Sequence, residues 1–242
     1  MSVIYIDSYR FGVSGPTDPY FSNVALLLHG DGTNGSTTIV DNSPSPKTVT
    51  AVGNAQISTA QSKFGGSSIA FDGTGDYLSI PPSSAFDYTS SDFTWECWTY
   101  FNTVGGLQTI ISDARYISGG NLMGFVVRVS NGVVGGLGYS NQLSPFVIVG
   151  NQTSLSANSW YHLAFTRSGN DYRLFLNGVQ EGSTVQSGTA VTYDNDDLTV
   201  GAWEGFIGSR DLDGYIDDLR VTKGVARYTA NFTPPTAPFP NS

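Results

Sequence analysis

A chain of 242 residues with 39% hydrophobic and 13% aromatic content is long enough to bury one large core. Its 11 basic residues, three of them lysines, face 20 acidic ones, leaving a formal net charge of −9 and a pI near 4.4. Phosphate binding needs clustered Lys and Arg, so nucleic acid is excluded as a partner class. No apolar run reaches the length of a membrane-spanning helix, so no membrane insertion is expected.

Only 13% of residues are charged, beside 29 glycines and 11 prolines, which is the composition of many short strands joined by turns. Asp far outnumbers Glu, and Asp is the acid that turns and hard-cation sites use. Cys97 has no second cysteine to pair with, and between Trp95 and Trp98 it reads as a small buried apolar residue.

Residues 1–22 form a separate N-terminal arm, in which Val3 and Tyr5 alternate with Ile4 and Ile6 before GVSGPTDP breaks regular structure. The arm either pairs with an edge of the following domain or docks that domain onto another protein, and docking is the reading adopted. It has no basic n-region and no long apolar h-region, so the expectation is synthesis in a cytoplasm without classical export. The N-x-S/T triplets at Asn34, Asn151 and Asn231 then read as turn chemistry.

From residue 23 to 242 the pattern is that of one domain. Strands are expected at Ala25 to His29, Ser67 to Phe71 and Tyr77 to Ile80, with turn clusters GDGTNGST and DGTGD between them. Phe93 to Phe101 carries Phe93, Trp95 and Phe101 on one face and Trp98 and Tyr100 on the other, so both faces must be covered. Thr109 to Ser112, Gly124 to Val129, Val133 to Gly138 and Phe146 to Val149 follow as strands. Trp160 to Arg167 and Tyr172 to Leu176 read as a hairpin, and Asn177-Gly178 turns the chain into another strand. Leu198 to Gly201 and Tyr215 to Thr222 complete the set. Alternation within these strands assigns Phe71, Trp95, Trp98, Phe165, Leu174 and Ile216 to the buried layers of two stacked antiparallel sheets.

Five segments, LLLHGDGTNGST, KFGGSSIAFDGTGDYLSI, DFTWECWTYF, WYHLAFTRSGNDYRLFLNGV and GYIDDLRVTKGVARYTANFTPP, occur in an order and at separations that resemble the laminin-G-like branch of the concanavalin A-like lectin/glucanase superfamily. The resemblance spans Val24 to Pro235 and implies an all-β, two-sheet antiparallel jelly-roll sandwich. It implies a tail running across the sandwich, where Val225, Tyr228 and Phe232 are spaced to cover a sheet edge. It also implies a possible structural Ca²⁺, carried over to Asp72, Asp76, Asp217 and Asp218, with Asp31 a weaker candidate; the bland alternative is that these aspartates cap turns.

Glucanases of the superfamily need closely spaced carboxylates, but Glu96, Glu181 and Glu204 are scattered and the run from Asp211 to Asp218 coincides with the family's structural segment, so no enzyme is expected. His29 and His162 lack partners at metal-ligand spacing. Glu96 needs a cation if buried, and Arg167 and Arg220 are the candidates. Sugar sites need an aromatic platform with polar neighbours on loops, which points to Trp203, Phe206, Tyr116, Tyr139 and Tyr193, with Phe146 also on a loop; the same residues would serve a protein interface. Trp203 is expected to be exposed, because AWEGFIGSRDLDG is a long connection. The ending GVARYTANFTPP resembles laminin-G-like proteins of tailed bacteriophages. That context implies a non-enzymatic virion surface protein, such as a decoration, fibre or adhesin subunit, present in many copies or as a homo-oligomer. It would join other virion proteins through the arm and bind host-surface glycans. The alternative is a bacterial extracellular lectin or carbohydrate-binding module.

Overall fold

Alternating apolar residues and dense turn chemistry produce two antiparallel sheets stacked face to face in the computed structural model, which describes residues 17–116, 121–142, 145, 147–150, 154–191, 193 and 195–242. In chain order the strands are β1 (Val24–Leu28), β2 (Thr50–Val52), β3 (Gln56–Ser58), β4 (Ser68–Asp72), β5 (Tyr77–Ile80) and β6 (Phe93–Phe101). There follow β7 (Leu107–Ser112), β8 (Arg115–Tyr116), β9 (Leu122–Ser130), β10 (Val133–Gln142) and β11 (Val147–Val149). The last are β12 (Trp160–Ser168), β13 (Asp171–Leu176), β14 (Val179–Gln186), β15 (Leu198–Val200) and β16 (Asp213–Lys223). The first sheet runs β14-β13-β12-β6-β16-β4-β3, with β1 also on β16; the second runs β11-β10-β9-β7-β15-β5-β2, with β8 on β9.

The core lies between the sheets and is built around β6. Phe93 and Trp95 point inward and meet Phe125 of β9 and Phe165 of β12, with ring centroids 5.0 to 6.5 Å apart. Such tilted and edge-on pairs add stabilisation beyond their buried area. Phe71, Leu174 and Ile216 join them, and the expected core residues are all buried. Trp98 faces the opposite way, toward Phe64 and His162.

That outer face of the first sheet is covered by the C-terminal tail, so all nine residues of β6 are buried. Thr94 Oγ1 donates to the Val225 carbonyl and Thr166 Oγ1 to that of Tyr228, while Phe232 N donates to Gly178 O. The Tyr228 and Phe232 rings stack at 3.5 Å and lie on Phe175 and His162. Gly178, at φ +77°, cannot be replaced without moving the tail, since a Cβ there would fall 2.0 Å from Phe232 O. The tail thus covers a sheet face where the sequence suggested an edge, because residues four apart stack into one plate over β12 and β13.

Burying Glu96 outward from β6 requires a counter-charge, and Arg220 of β16 provides it, donating from Nε at 2.9 Å and Nη2 at 2.7 Å to Oε1. Tyr228 donates its hydroxyl to Oε2. Arg167, the other expected partner, instead donates to the carbonyls of Tyr88 and Gly169. The network extends to Asp18, whose carboxylate accepts from Arg220 Nη1 and from both Nη atoms of Arg227. Asp18 N also donates to the Ser242 carbonyl. The last residues of the expected arm, from Thr17 to Ser22, are thus held against the sandwich by an ion pair that no local sequence pattern announces. The strand expected near Ile4 and the rest of the arm, residues 1–16, lie outside the described residues.

Candidate functional site

The four aspartates proposed for calcium do not share a site. Asp72 and Asp76 flank the loop after β4, where Asp76 Oδ2 accepts from Asp72 N and Oδ1 from Asn54 N at 2.5 Å. Asp217 and Asp218 lie four and five residues along β16 from Asp213, the cross-strand partner of Asp72, a displacement of roughly 13 Å or more at strand rise. Asp217 Oδ2 accepts from the amides of Lys63 and Phe64, and Asp218 is held by His29 Nδ1 at 2.6 Å and by Phe239 N. Among the described residues no group of three or more His, Cys, Asp or Glu is arranged to hold a metal ion. The donor set does not fit Ca²⁺: the oxygens already satisfy backbone N–H groups and a histidine, as turn-capping aspartates do. Burial pushes Asp217 up to about 7 despite its two amide donors, and its Oδ1 has no partner.

The same strand pairing builds a different site. Asp72 and Asp213 face each other at one end of the first sheet, and the loops 72–75, 103–108 and 208–213 close around them into an open cleft of about 330 Å³. Asp213 Oδ1 and Oδ2 accept from Asn102 Nδ2 and Thr103 Oγ1, and Gln108 locks the loop by accepting from Asp213 N and donating to Thr103 O. Asp211 Oδ2 accepts from Gly75 N and Gly208 N, while its Oδ1 is buried without a partner. Gly73, at φ +82° with its Cβ position 3.0 Å from Asp213 Cβ, lets the turn lie against that side chain. Hydrogen bonds from Asn54 Nδ2 and Thr74 N hold the Asp72 carboxyl below its ordinary range, so it is an acceptor and not a proton donor. Carboxylates, a Ser209 hydroxyl and glycine-rich backbone are suited to the hydroxyls of a neutral sugar.

Three of the proposed aromatic contacts gather elsewhere, on the outer face of the second sheet. Trp203, Tyr139 and Phe206 pack together with Leu122, Val126 and Leu137. Trp203 is 1% exposed and its Nε1 donates to Ala114 O at 2.7 Å, so the indole is a buried anchor for its loop and not a platform. Tyr139 is also buried, and Phe206 is half-buried beneath the Arg210 guanidinium. Tyr193 lies apart: its hydroxyl accepts from Ser83 N and its ring packs on the main core. Tyr116 falls in β8 with its side chain outside the described part, and Phe146 lies outside the described residues.

None of the three glutamates lines the cleft. Glu96 is consumed by Arg220, and Glu181 is buried. Burial and the neighbouring Asp196 raise Glu204 to about 7. His29 is doubly hydrogen-bonded, to Asp218 and Asn241.

Two antiparallel sheets with loop-borne clefts at the sandwich ends define a jelly-roll of the lectin-like class. The chain belongs to the concanavalin A-like lectin/glucanases superfamily, whose Laminin_G_3 family model matches residues 72–227. No curated protein matches the chain. Among solved structures, the binding domain of Paraclostridial Mosquitocidal Protein 1 superposes with a TM-score of 0.61 at 15% identity, covering 86% of this chain and 50% of that one. The binding domain of botulinum neurotoxin serotype D gives 0.62 at 16% identity, covering 85% and 49%. A mutant of Trypanosoma rangeli sialidase displaying trans-sialidase activity gives 0.55 at 13%, covering 83% and 30%. The chain thus spans about half of each toxin binding domain, and at these identities the likeness is one of fold.

Proposed function

We propose that this chain is a non-catalytic glycan-binding module displayed on the surface of a tailed-bacteriophage virion, with the cleft of Asp72, Asp211 and Asp213 as its sugar site. The observation that carries the binding reading is the cleft itself: it is open, of a size to take one or two sugar rings, and rich in acceptors already oriented by backbone and amide donors. A non-enzymatic role is supported by similarity in fold to toxin binding domains. The virion setting rests on the resemblance of GVARYTANFTPP to phage laminin-G-like proteins, and on residues 1–16 as the segment left to join other virion proteins. Many copies on one particle would compensate for weak single-site affinity.

The test is an array of host-surface glycans probed with wild type, Asp72→Ala and Asp213→Ala. Wild type should bind and both variants should lose at least tenfold with unchanged melting temperature; a silent array, or variants that bind as well as wild type, would reject the cleft as the site. The toxin-domain likeness favours a second reading, an extracellular bacterial lectin. Mass spectrometry of purified phage particles separates the two, since only the virion reading places the chain there.

A further inference from the structure

The outer face of the second sheet holds a feature that the cleft does not use. Among the described residues, Arg128 and Arg210 have neither an ion pair nor a side-chain hydrogen bond, whereas Arg115, Arg167, Arg173, Arg220 and Arg227 all have one or both. Arg128 projects from β9 opposite Thr109 of β7, and Thr109 N donates to the Arg210 carbonyl at 2.8 Å, which sets the two arginines side by side. The Arg210 guanidinium lies over the Phe206 ring, its Cζ 3.5 Å from that centroid and 4.8 Å from that of Trp203. Burial and the charge of Arg128 both disfavour the Arg210 cation, and both arginines act on the buried Tyr139 phenol beside them. Among the described residues no carboxylate is ion-paired with either arginine, in a protein whose net charge is −9. Stacking on an aromatic ring leaves guanidinium N–H edges free to point outward.

We infer that Arg128 and Arg210 form a second binding site, separate from the cleft, for the carboxylate of an acidic sugar. Two adjacent guanidinium forks match a planar carboxylate, with charge-assisted hydrogen bonds and relief of their mutual repulsion. The Phe206 edge and the exposed Ile207 beside it offer an apolar surface for the C–H face of the sugar ring. The surrounding net negative charge repels long polyanions and leaves a single carboxylate as the ligand that gains most. The inference does not depend on the cleft binding anything.

The experiment titrates wild type by calorimetry with trigalacturonate, a hyaluronan tetrasaccharide and sialyllactose, each beside its carboxyl-reduced counterpart, and with a sulfated galactan and a polyglutamate peptide as controls. At least one acidic sugar should bind tenfold or more tightly than its reduced form. Arg210→Ala and Arg128→Ala should each lose that preference with unchanged melting temperatures, Arg210→Lys should recover only part of it, and Asp213→Ala should retain it. Wild type that binds none of the three acids, or binds acid and reduced forms equally, overturns the site. Tighter binding of the sulfated galactan or the peptide than of any acidic sugar overturns the assignment of its ligand.

Discussion

Replacing Asp18 with alanine removes the acceptor of four hydrogen bonds, from Tyr20 N, Arg220 Nη1 and both Nη atoms of Arg227, at a side chain only 2% exposed. Arg220 keeps Glu96, but Arg227 loses its only carboxylate within hydrogen-bonding distance, the nearest other being Glu96 Oε1 at 3.8 Å. Breaking one side of a buried ion pair costs about 3–5 kcal/mol, because the remaining charge stays desolvated. For a domain of this size each kcal/mol shifts the midpoint by about 2–4 °C, so the expected drop is roughly 6–20 °C. Differential scanning calorimetry of Asp18→Ala and Asp18→Asn, with deletion of residues 1–16 as control, measures it. The deletion should leave the midpoint within a degree or two. A loss of under about 1 kcal/mol for Asp18→Ala would refute the network and return residues 17–22 to a detachable arm.

Trp203→Ala should cost about 3–5 kcal/mol by chemical denaturation, as for a buried indole; a near-neutral change would restore it to the surface. Glu96, held down at about 2 by Arg220 against the cost of burial, contributes stability that is full above its unfolded range near 4.5 and lost as pH falls through about 2. Urea midpoints between pH 2 and 5 should show that loss in wild type and not in Glu96→Gln. Asp217, raised from 3.8 to about 7, has the opposite sign: stability is greatest below about 4 and declines, by on the order of 4 kcal/mol, as pH rises toward 7. Asp217→Asn should flatten that decline, and an unchanged slope would show that the carboxyl ionises freely. Because the four aspartates hold backbone amides and His29, calcium should raise the melting temperature no more in wild type than in Asp217→Asn; an increment abolished by Asp217→Asn would show the oxygens regrouping around an ion.

The strands legible in the sequence are those whose side chains alternate into two packed layers. β6 emerges with the expected limits, Phe93 to Phe101, because aromatic residues on both faces leave no other reading, and Asn177-Gly178 marks its turn through positive φ at both residues. β2 and β3 were missed: each is three residues long and mostly polar or half-exposed, so neither shows a period. The sites were less legible, since they depend on register. Asp72 was visible as a turn or calcium aspartate and Asp213 only as part of the family's structural segment, and only the pairing of β4 with β16 makes them neighbours. Trp203 misled because a long Gly-rich connection reads as surface; the loop folds back, and its indole finds the Ala114 carbonyl on another strand connection. Arg128 and Arg210 carry no local signal at all, and their significance is the missing counter-charge.

Whether the cleft at the sandwich end binds a sugar is read from a crystal structure of the protein with the tightest neutral oligosaccharide from the glycan array. Density is expected between Asp72, Ser209 and Asp213, with sugar hydroxyls donating to the carboxylates. Oligosaccharide bound on any other surface while this cleft holds only water would contradict it.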